Sequence, residues 1–247
     1  MKKIKVGAVS YLNTKPLLYG IERSEELMRQ IELITDYPSK IATQLLDGDI
    51  DVGLVPVAVI PKMKDHFIVS DYCIGAENNV ASVCLFSEVE LDKIEKILLD
   101  YHSRTSVALC EVLLKYHWKK DVVLENAKEN FEQHIKGTTA AVLIGDPALK
   151  QRNQSKYSYD LAGEWKAFTG LPFVFAAWIA NTKLPREFIR LFNEKNAEGV
   201  NNIDMVLKKL SCDFYDLHTY FTKNISYKLT NDKIEGMNLF LKLLQQL

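Results

Sequence analysis

IKVGAVSYLNTKPLLYGI, residues 4–21, decides the fold. Ile4, Val6, Ala8 and Val9 make an apolar, β-favouring run over Ile4–Val9, too short for a helix of its own. A polar turn, SYLNT, follows, and Pro16 then fits the first turn of a helix, where its missing N–H costs nothing. The pattern is strand, loop, helix. It recurs directly downstream: 31–35 reads as a strand, Asp36 or Ser39 as a cap near Pro38, 41–46 as a helix face and 51–55 as the next strand. Such alternation implies a parallel sheet with helices on its faces. VPVAVIPKM, opened by Pro56, then reads as a short helix.

A second alternating set begins at 96–99 and passes through HSRTS into a helix over 105–117, with Val107, Leu109, Val112, Leu113 and Tyr116 inward. Residues 121–124 supply a strand, 129–136 a helix, and 140–144 a strand ending at Gly145 and Asp146. Two extended apolar stretches, 80–86 and Phe173–Ala180, can carry the chain between the two sets. The C-terminal third reads as helical over 185–210, 214–221 and 232–247 and should pack on the first set. The expected architecture is α/β with two lobes, 1–84 plus 178–247 and 85–177. In open α/β sheets ligands bind beyond the carboxyl ends of strands. That rule selects SYLNT, the VP at 55–56, HSRTS and GDPA as loops facing one cleft.

Composition narrows the function classes. The 247 residues are 47% hydrophobic, enough for a large core, and 31 Lys and Arg stand against 32 Asp and Glu. No global field draws in nucleic acid or an anionic membrane. The opening MKKIKVGAVS is interrupted by Lys5 and lacks the long apolar stretch of a secretory signal, and no stretch approaches the roughly 20 apolar residues of a membrane span. A cytoplasmic protein is expected. Cys73, Cys84, Cys110 and Cys212 are far apart and read as reduced, buried thiols, and the five histidines are equally scattered, so no metal site is expected.

Candidate chemistry lies in two loops. Ser10, Asn13 and Thr14 precede a helix, so their side chains and the first backbone N–H groups can grip an anion or simply cap the helix. Ser103, Thr105 and Ser106 place three hydroxyls at another helix start, with the planar Arg104 fork suited to a carboxylate, and here too capping is the alternative. Charge runs such as ELDKIEK and KENFEQ read as solvated faces, and Trp118, Trp165 and Trp178 as core or cleft lining. No nucleophile motif, glycine-rich dinucleotide fingerprint or P-loop is present. The residues alone imply a two-lobed anion-binding protein and name no reaction.

Four segments carry a resemblance that goes further. VGAVSYLNTKPLLYGI resembles the opening of chorismate dehydratases, and DYHSRTSVALCEVLL, IGDPAL and DLAGEWKAFTGLPFVFAAW resemble their later landmarks in the same order, across nearly the whole chain. The resemblance implies the type II periplasmic-binding-protein-like fold with a ligand cleft between lobes. It implies conversion of chorismate to 3-[(1-carboxyvinyl)oxy]benzoate and water, the first committed step to menaquinone by the futalosine route. No cofactor or metal is implied. Asn13 is then the residue tied to turnover, and Ser10, Tyr11, Thr14 and Ser82, with Ser103, Arg104, Thr105 and Ser106 on the second lobe, are the expected substrate contacts. Asp146, beside a dianionic substrate, is expected to cap its helix. Two alternatives share the fold: the sister 1,4-dihydroxy-6-naphthoate synthase, whose opening loop differs from SYLNTKPL, and a non-catalytic solute receptor, which would normally carry an export signal.

Overall fold

The computed structural model describes residues 3–100 and 103–247. The chain forms two β-sheets, each with helices against it. Strands β1 (Ile4–Val9), β2 (Ile31–Asp36), β3 (Val52–Pro56) and β4 (Phe67–Ala76) join β10 (Phe173–Ala180) and β11 (Ser226–Lys228) in a six-stranded sheet of order β11-β4-β10-β3-β1-β2. Strands β5 (Val83–Ser87), β6 (Lys96–Leu99), β7 (Val123–Asn126), β8 (Thr139–Ile144) and β9 (Tyr157–Asp160) make a five-stranded sheet of order β7-β6-β8-β5-β9. β1 pairs in parallel with β2 and β3, and β6 with β7 and β8, while β10 and β5 run antiparallel to their neighbours. Both sheets thus combine parallel α/β units with a returning antiparallel strand. Every residue of β3 is buried, as a central strand covered on both faces requires.

The helices follow the expected alternation. α1 (Lys15–Arg23), α2 (Glu25–Gln30) and α3 (Pro38–Asp47) serve the first sheet, and α3 stops at Gly48, whose φ of 79° supplies the left-handed C-terminal turn. α4 (Arg104–Val112) runs on as a wide π turn over Leu113–Trp118, so the helix expected over 105–117 is continuous but changes its winding. α5 (Gly145–Gln151) and α6 (Leu161–Thr169) complete the second lobe. The C-terminal part contains α7 (Arg186–Val200), α8 (Ile203–Leu207), the single turn α9 (Leu217–Thr219) and α10 (Asn231–Leu244). α7 crosses α1 so closely that a Cβ on Gly20 would lie 2.2 Å from the Lys195 carbonyl oxygen, and one on Gly199 1.9 Å from that of Pro16. α10 packs on β10, as expected for the first lobe, but also against α4 of the second.

Several expectations need correction. The divisions after residues 84 and 177 fall inside β5 and β10, each of which is hydrogen-bonded as a whole within one sheet; the chain changes sheet between Ala76 and Val83 and again between Asp160 and Phe173. The helix expected over 129–136 is a single tight turn, Phe131–His134, entered through Asn130 at φ 57° and followed by Gly137 at φ 60°. Strand β7 lies two residues beyond 121–124 and is exposed throughout. VPVAVIPKM contains a tight helical turn over Val57–Lys62. Strands β4, β9 and β11 were not expected from the pattern.

One hydrophobic core runs through both lobes, from Val6 and Leu54 in the first sheet to Ile97 and Val142 in the second. Trp165 and Trp178, both fully buried, anchor it; Trp165 packs edge-on to Phe173 and Phe240. Burying a large apolar side chain contributes about 1.5–3 kcal/mol, so a shared core favours closed lobes.

Candidate active site in the cleft between the lobes

Where the lobes meet, a cleft encloses about 520 Å³ not filled by protein atoms, including space open to solvent. Its polar lining comes from three places. Tyr11, Asn13 and Thr14 lie in the loop between β1 and α1; Ser103, Thr105 and Ser106 begin α4; Ser82 sits on the segment that crosses from β4 to β5. Val9, Pro38, Pro56, Ile74, Phe175 and Ile144 supply apolar walls. Asn13 of the first lobe and Ser106 of the second therefore face one space.

Each loop is held by its own chemistry. Thr14 is fully buried, and its hydroxyl donates to Asn13 Oδ1 at 3.2 Å, so Nδ2 is the side of the Asn13 amide left to donate. The Tyr227 hydroxyl donates to the Asn13 main-chain oxygen at 3.0 Å. Ser103 Oγ accepts the Ser106 N–H at 3.2 Å, a helix cap that presents the first turn of α4 to the cleft. The starts of α1 and α4, one per lobe, both border the cleft, and helix N-termini favour negative charge.

The lobes also touch beside the cleft. Thr105 Oγ1 accepts the Ala58 N–H at 3.2 Å, and the Asp146 carboxylate accepts that of Leu12 at 3.3 Å. A Cβ on Gly145 would lie 3.1 Å from the Tyr11 ring, so this position, at φ 60°, suits glycine twice over. Arg104 donates to Thr43 Oγ1 at 2.8 Å.

That last bond corrects the placement expected for Arg104: next to Ser103 on the helix, it points across to α3 and is not among the cleft-lining residues. Ser10 is likewise outside the lining; it is exposed, and its N–H donates to the Asp36 oxygen, adding a rung to the β1–β2 pairing. Asp146 also departs from expectation. It does not cap α5; it reaches the opposite lobe, and burial pushes its carboxyl above the ordinary 3.8, partly offset by the Leu12 N–H, Lys150 and Lys15. His102, the first residue of HSRTS, lies outside the described residues.

Two groups at the site escaped the sequence reading. Tyr220, fully buried, donates its hydroxyl to Ser82 Oγ at 2.7 Å. Asp160 accepts N–H groups from Val80 and Ala81 on one crossing segment, at 3.1 and 2.7 Å, and from Ala162 and Gly163 on the other, both at 3.2 Å. It thereby holds Ala81 at φ 65°, a left-handed conformation costly for a residue with a Cβ, immediately before Ser82. Arg152 supports the same turn by donating to the Ala81 oxygen at 3.2 Å. No local signal marks Tyr220, whose partner is 138 positions away; Asp160 is locally legible only as the cap of α6, because its other two partners are 79 and 80 positions away.

The sequence pattern of a family described as Menaquinone biosynthesis matches residues 4–246. The chain belongs to that family. Among relatives, a chorismate dehydratase of Thermus thermophilus is 24% identical over 223 residues, with 82% of this chain and 80% of the relative covered. A chorismate dehydratase of Campylobacter jejuni is 25% identical over 244 residues, covering 96% and 95%. The Candida albicans CA3427 gene product, described as having the generic periplasmic binding protein fold, superposes with a TM-score of 0.72 at 12% identity, covering 100% of this chain and 91% of that one. This menaquinone-biosynthesis family member thus has the periplasmic-binding-protein-like fold. Among the described residues no helix is long and apolar enough to cross a membrane, and no group of three or more His, Cys, Asp or Glu could hold a metal ion.

Proposed function

We propose that the protein is a cytoplasmic chorismate dehydratase, a hydro-lyase converting chorismate to 3-[(1-carboxyvinyl)oxy]benzoate and water. The observation that carries the reading is the meeting of Asn13 and Ser106, from different lobes and beside different helix N-termini, in a cleft with both hydroxyl and apolar walls. Chorismate carries one carboxylate on its small ring and one on the enolpyruvyl side chain, and a cleft with an anion-favouring helix start on each side suits that shape. Two relatives named chorismate dehydratase align over most of the chain.

The reaction removes the ring hydrogen at the ether-bearing carbon and the neighbouring hydroxyl, which leave as water. The product is aromatic, so the thermodynamic drive lies in the substrate and the protein has only to lower a barrier. When the proton leaves first, the electron pair spreads through the ring alkenes into the ring carboxylate. Donors around that carboxylate then act as an oxyanion hole. Ser82 and the Asn13 amide fill that role from the first-lobe side, with Thr14 holding the amide in place, while Ser103, Thr105 and Ser106 hold the second carboxylate. A neutral amide is no base. The described cleft lining has no carboxylate, imidazole or amine, so the enolpyruvyl carboxylate of the substrate takes the proton. Incubating the protein with chorismate and separating the products tests this: the aromatic enol ether is expected, and unchanged chorismate would end the reading.

A further inference from the structure

The buried hydroxyls behind the cleft form a network that substrate binding alone does not require. Tyr220 is fully buried at the start of the wide turn Tyr220–Asn224, far in sequence from either cleft loop. Its phenol oxygen is 2.7 Å from Ser82 Oγ. A buried phenol needs a partner for structural reasons alone, and any backbone carbonyl would serve. Here the partner is a side chain that lines the cleft.

The polarity of the network follows from the acidity of its members. A phenol is a better donor than an aliphatic hydroxyl, so Tyr220 donates to Ser82 Oγ. The Ser82 hydrogen is then left to point elsewhere, and the cleft is the space this residue lines. Asn13 Oδ1 is occupied by the Thr14 hydroxyl, which leaves the amide hydrogens of this neighbouring cleft residue to donate as well. Burial pushes the phenol far above its ordinary value of 10, which keeps it protonated and donating across the working pH range.

We infer that Tyr220 is a positioning residue: it touches no substrate, but fixes Ser82 as a hydrogen-bond donor toward the charge that develops on the ring of bound chorismate. The inference rests on the proposed dehydratase reading. It makes Ser82 a preorganised donor whose orientation does not have to be found at the moment of reaction.

Tyr220→Phe removes one buried oxygen and tests this directly. With folding confirmed by thermal melting, kcat for chorismate should fall about 10-fold or more while KM stays within about 3-fold, the pattern of a lost transition-state interaction. Because Tyr220 acts through Ser82, the double variant Ser82→Ala/Tyr220→Phe should be within about 3-fold of Ser82→Ala in kcat, far from the product of the two single losses. If Tyr220→Phe alone does not fold, the double variant, which removes both partners of the bond, still gives this comparison. Parental kcat in Tyr220→Phe, or multiplicative losses in the double variant, would overturn the inference and leave the dehydratase reading intact. A parental protein that does not turn over chorismate would remove both.

Discussion

Asp146, in the first turn of α5 on the second lobe, accepts a hydrogen bond at 3.3 Å from the Leu12 N–H on the first lobe, and burial raises its pKa above the ordinary 3.8. The native protein therefore binds a proton in a window where the unfolded chain has already lost it. Stability falls as pH rises from about 3.8 through the raised native value, and the cost is fully present at neutral pH. Asp146→Asn keeps the Oδ1 acceptor for Leu12 and removes the charge. Its urea midpoint should exceed that of the parent at pH 7, with the difference shrinking towards zero below the ordinary carboxylate range. A lower midpoint at pH 7 would show that the charge contributes more to the contact than its burial costs.

Asp160 should be the residue whose loss weakens the join between lobes most. Its carboxylate serves four backbone N–H groups on both crossing segments. Asp160→Ala leaves those donors without their acceptor beside Ala81, whose left-handed conformation then keeps the Arg152 bond to its oxygen. A loss of roughly 3 kcal/mol in urea unfolding is expected, since one unsatisfied buried group already costs about 1–3 kcal/mol. Asp160→Asn retains one acceptor oxygen and should recover part of it. Unchanged stability in the alanine variant would mean the two crossings are held by packing alone.

The thiols give a test of the core. Burial pushes Cys73 up to about 12 and raises Cys84 and Cys110 as well, whereas Cys212 is half-buried. Thiolate is the reactive form. Iodoacetamide at pH 8 should modify Cys212 alone in the folded protein and all four cysteines in urea, read by peptide mass mapping. Rapid labelling of Cys84 without denaturant would show the second lobe opening locally.

How much of this was legible in the sequence depends on the range of each signal. The run from β1 through SYLNT to α1 could be read because an apolar strand, a polar turn and Pro16 lie within eighteen adjacent residues. HSRTS and the start of α4 were legible for the same reason. Strand β4 was not: Ser70, Asp71 and two register irregularities against β10 break its alternation. β11 has only three residues and exists because β4 offers an edge. Arg104 and Thr105 look alike as candidate donors in sequence, yet a turn of 100° per residue sends one to Thr43 and leaves the other in the cleft. Tyr220 acts on a partner that no local window contains, and a local window shows Asp160 only as the cap of α6, not as the residue that holds Val80 and Ala81.

The placement of Arg104 makes its own prediction. Because its guanidinium bonds Thr43 outside the cleft, Arg104→Ala should leave KM for chorismate within about 3-fold of the parent, whereas Ser106→Ala, which alters a cleft-lining group used in ground and transition states alike, should raise KM with kcat little changed. An Arg104→Ala protein with KM raised by orders of magnitude would return the guanidinium to the substrate.

In the proposed reaction Asn13 donates to charge that appears only during elimination. The decisive measurement is single-turnover conversion of chorismate by the parental protein and by Asn13→Ala, both shown to be folded, with the aromatic enol ether followed by mass. The parent should form it, and Asn13→Ala should do so more slowly by roughly 10²-fold or more, with chorismate affinity little changed, as for loss of one oxyanion-hole donor. Equal rates in the two proteins, or no product from the parent, would contradict it.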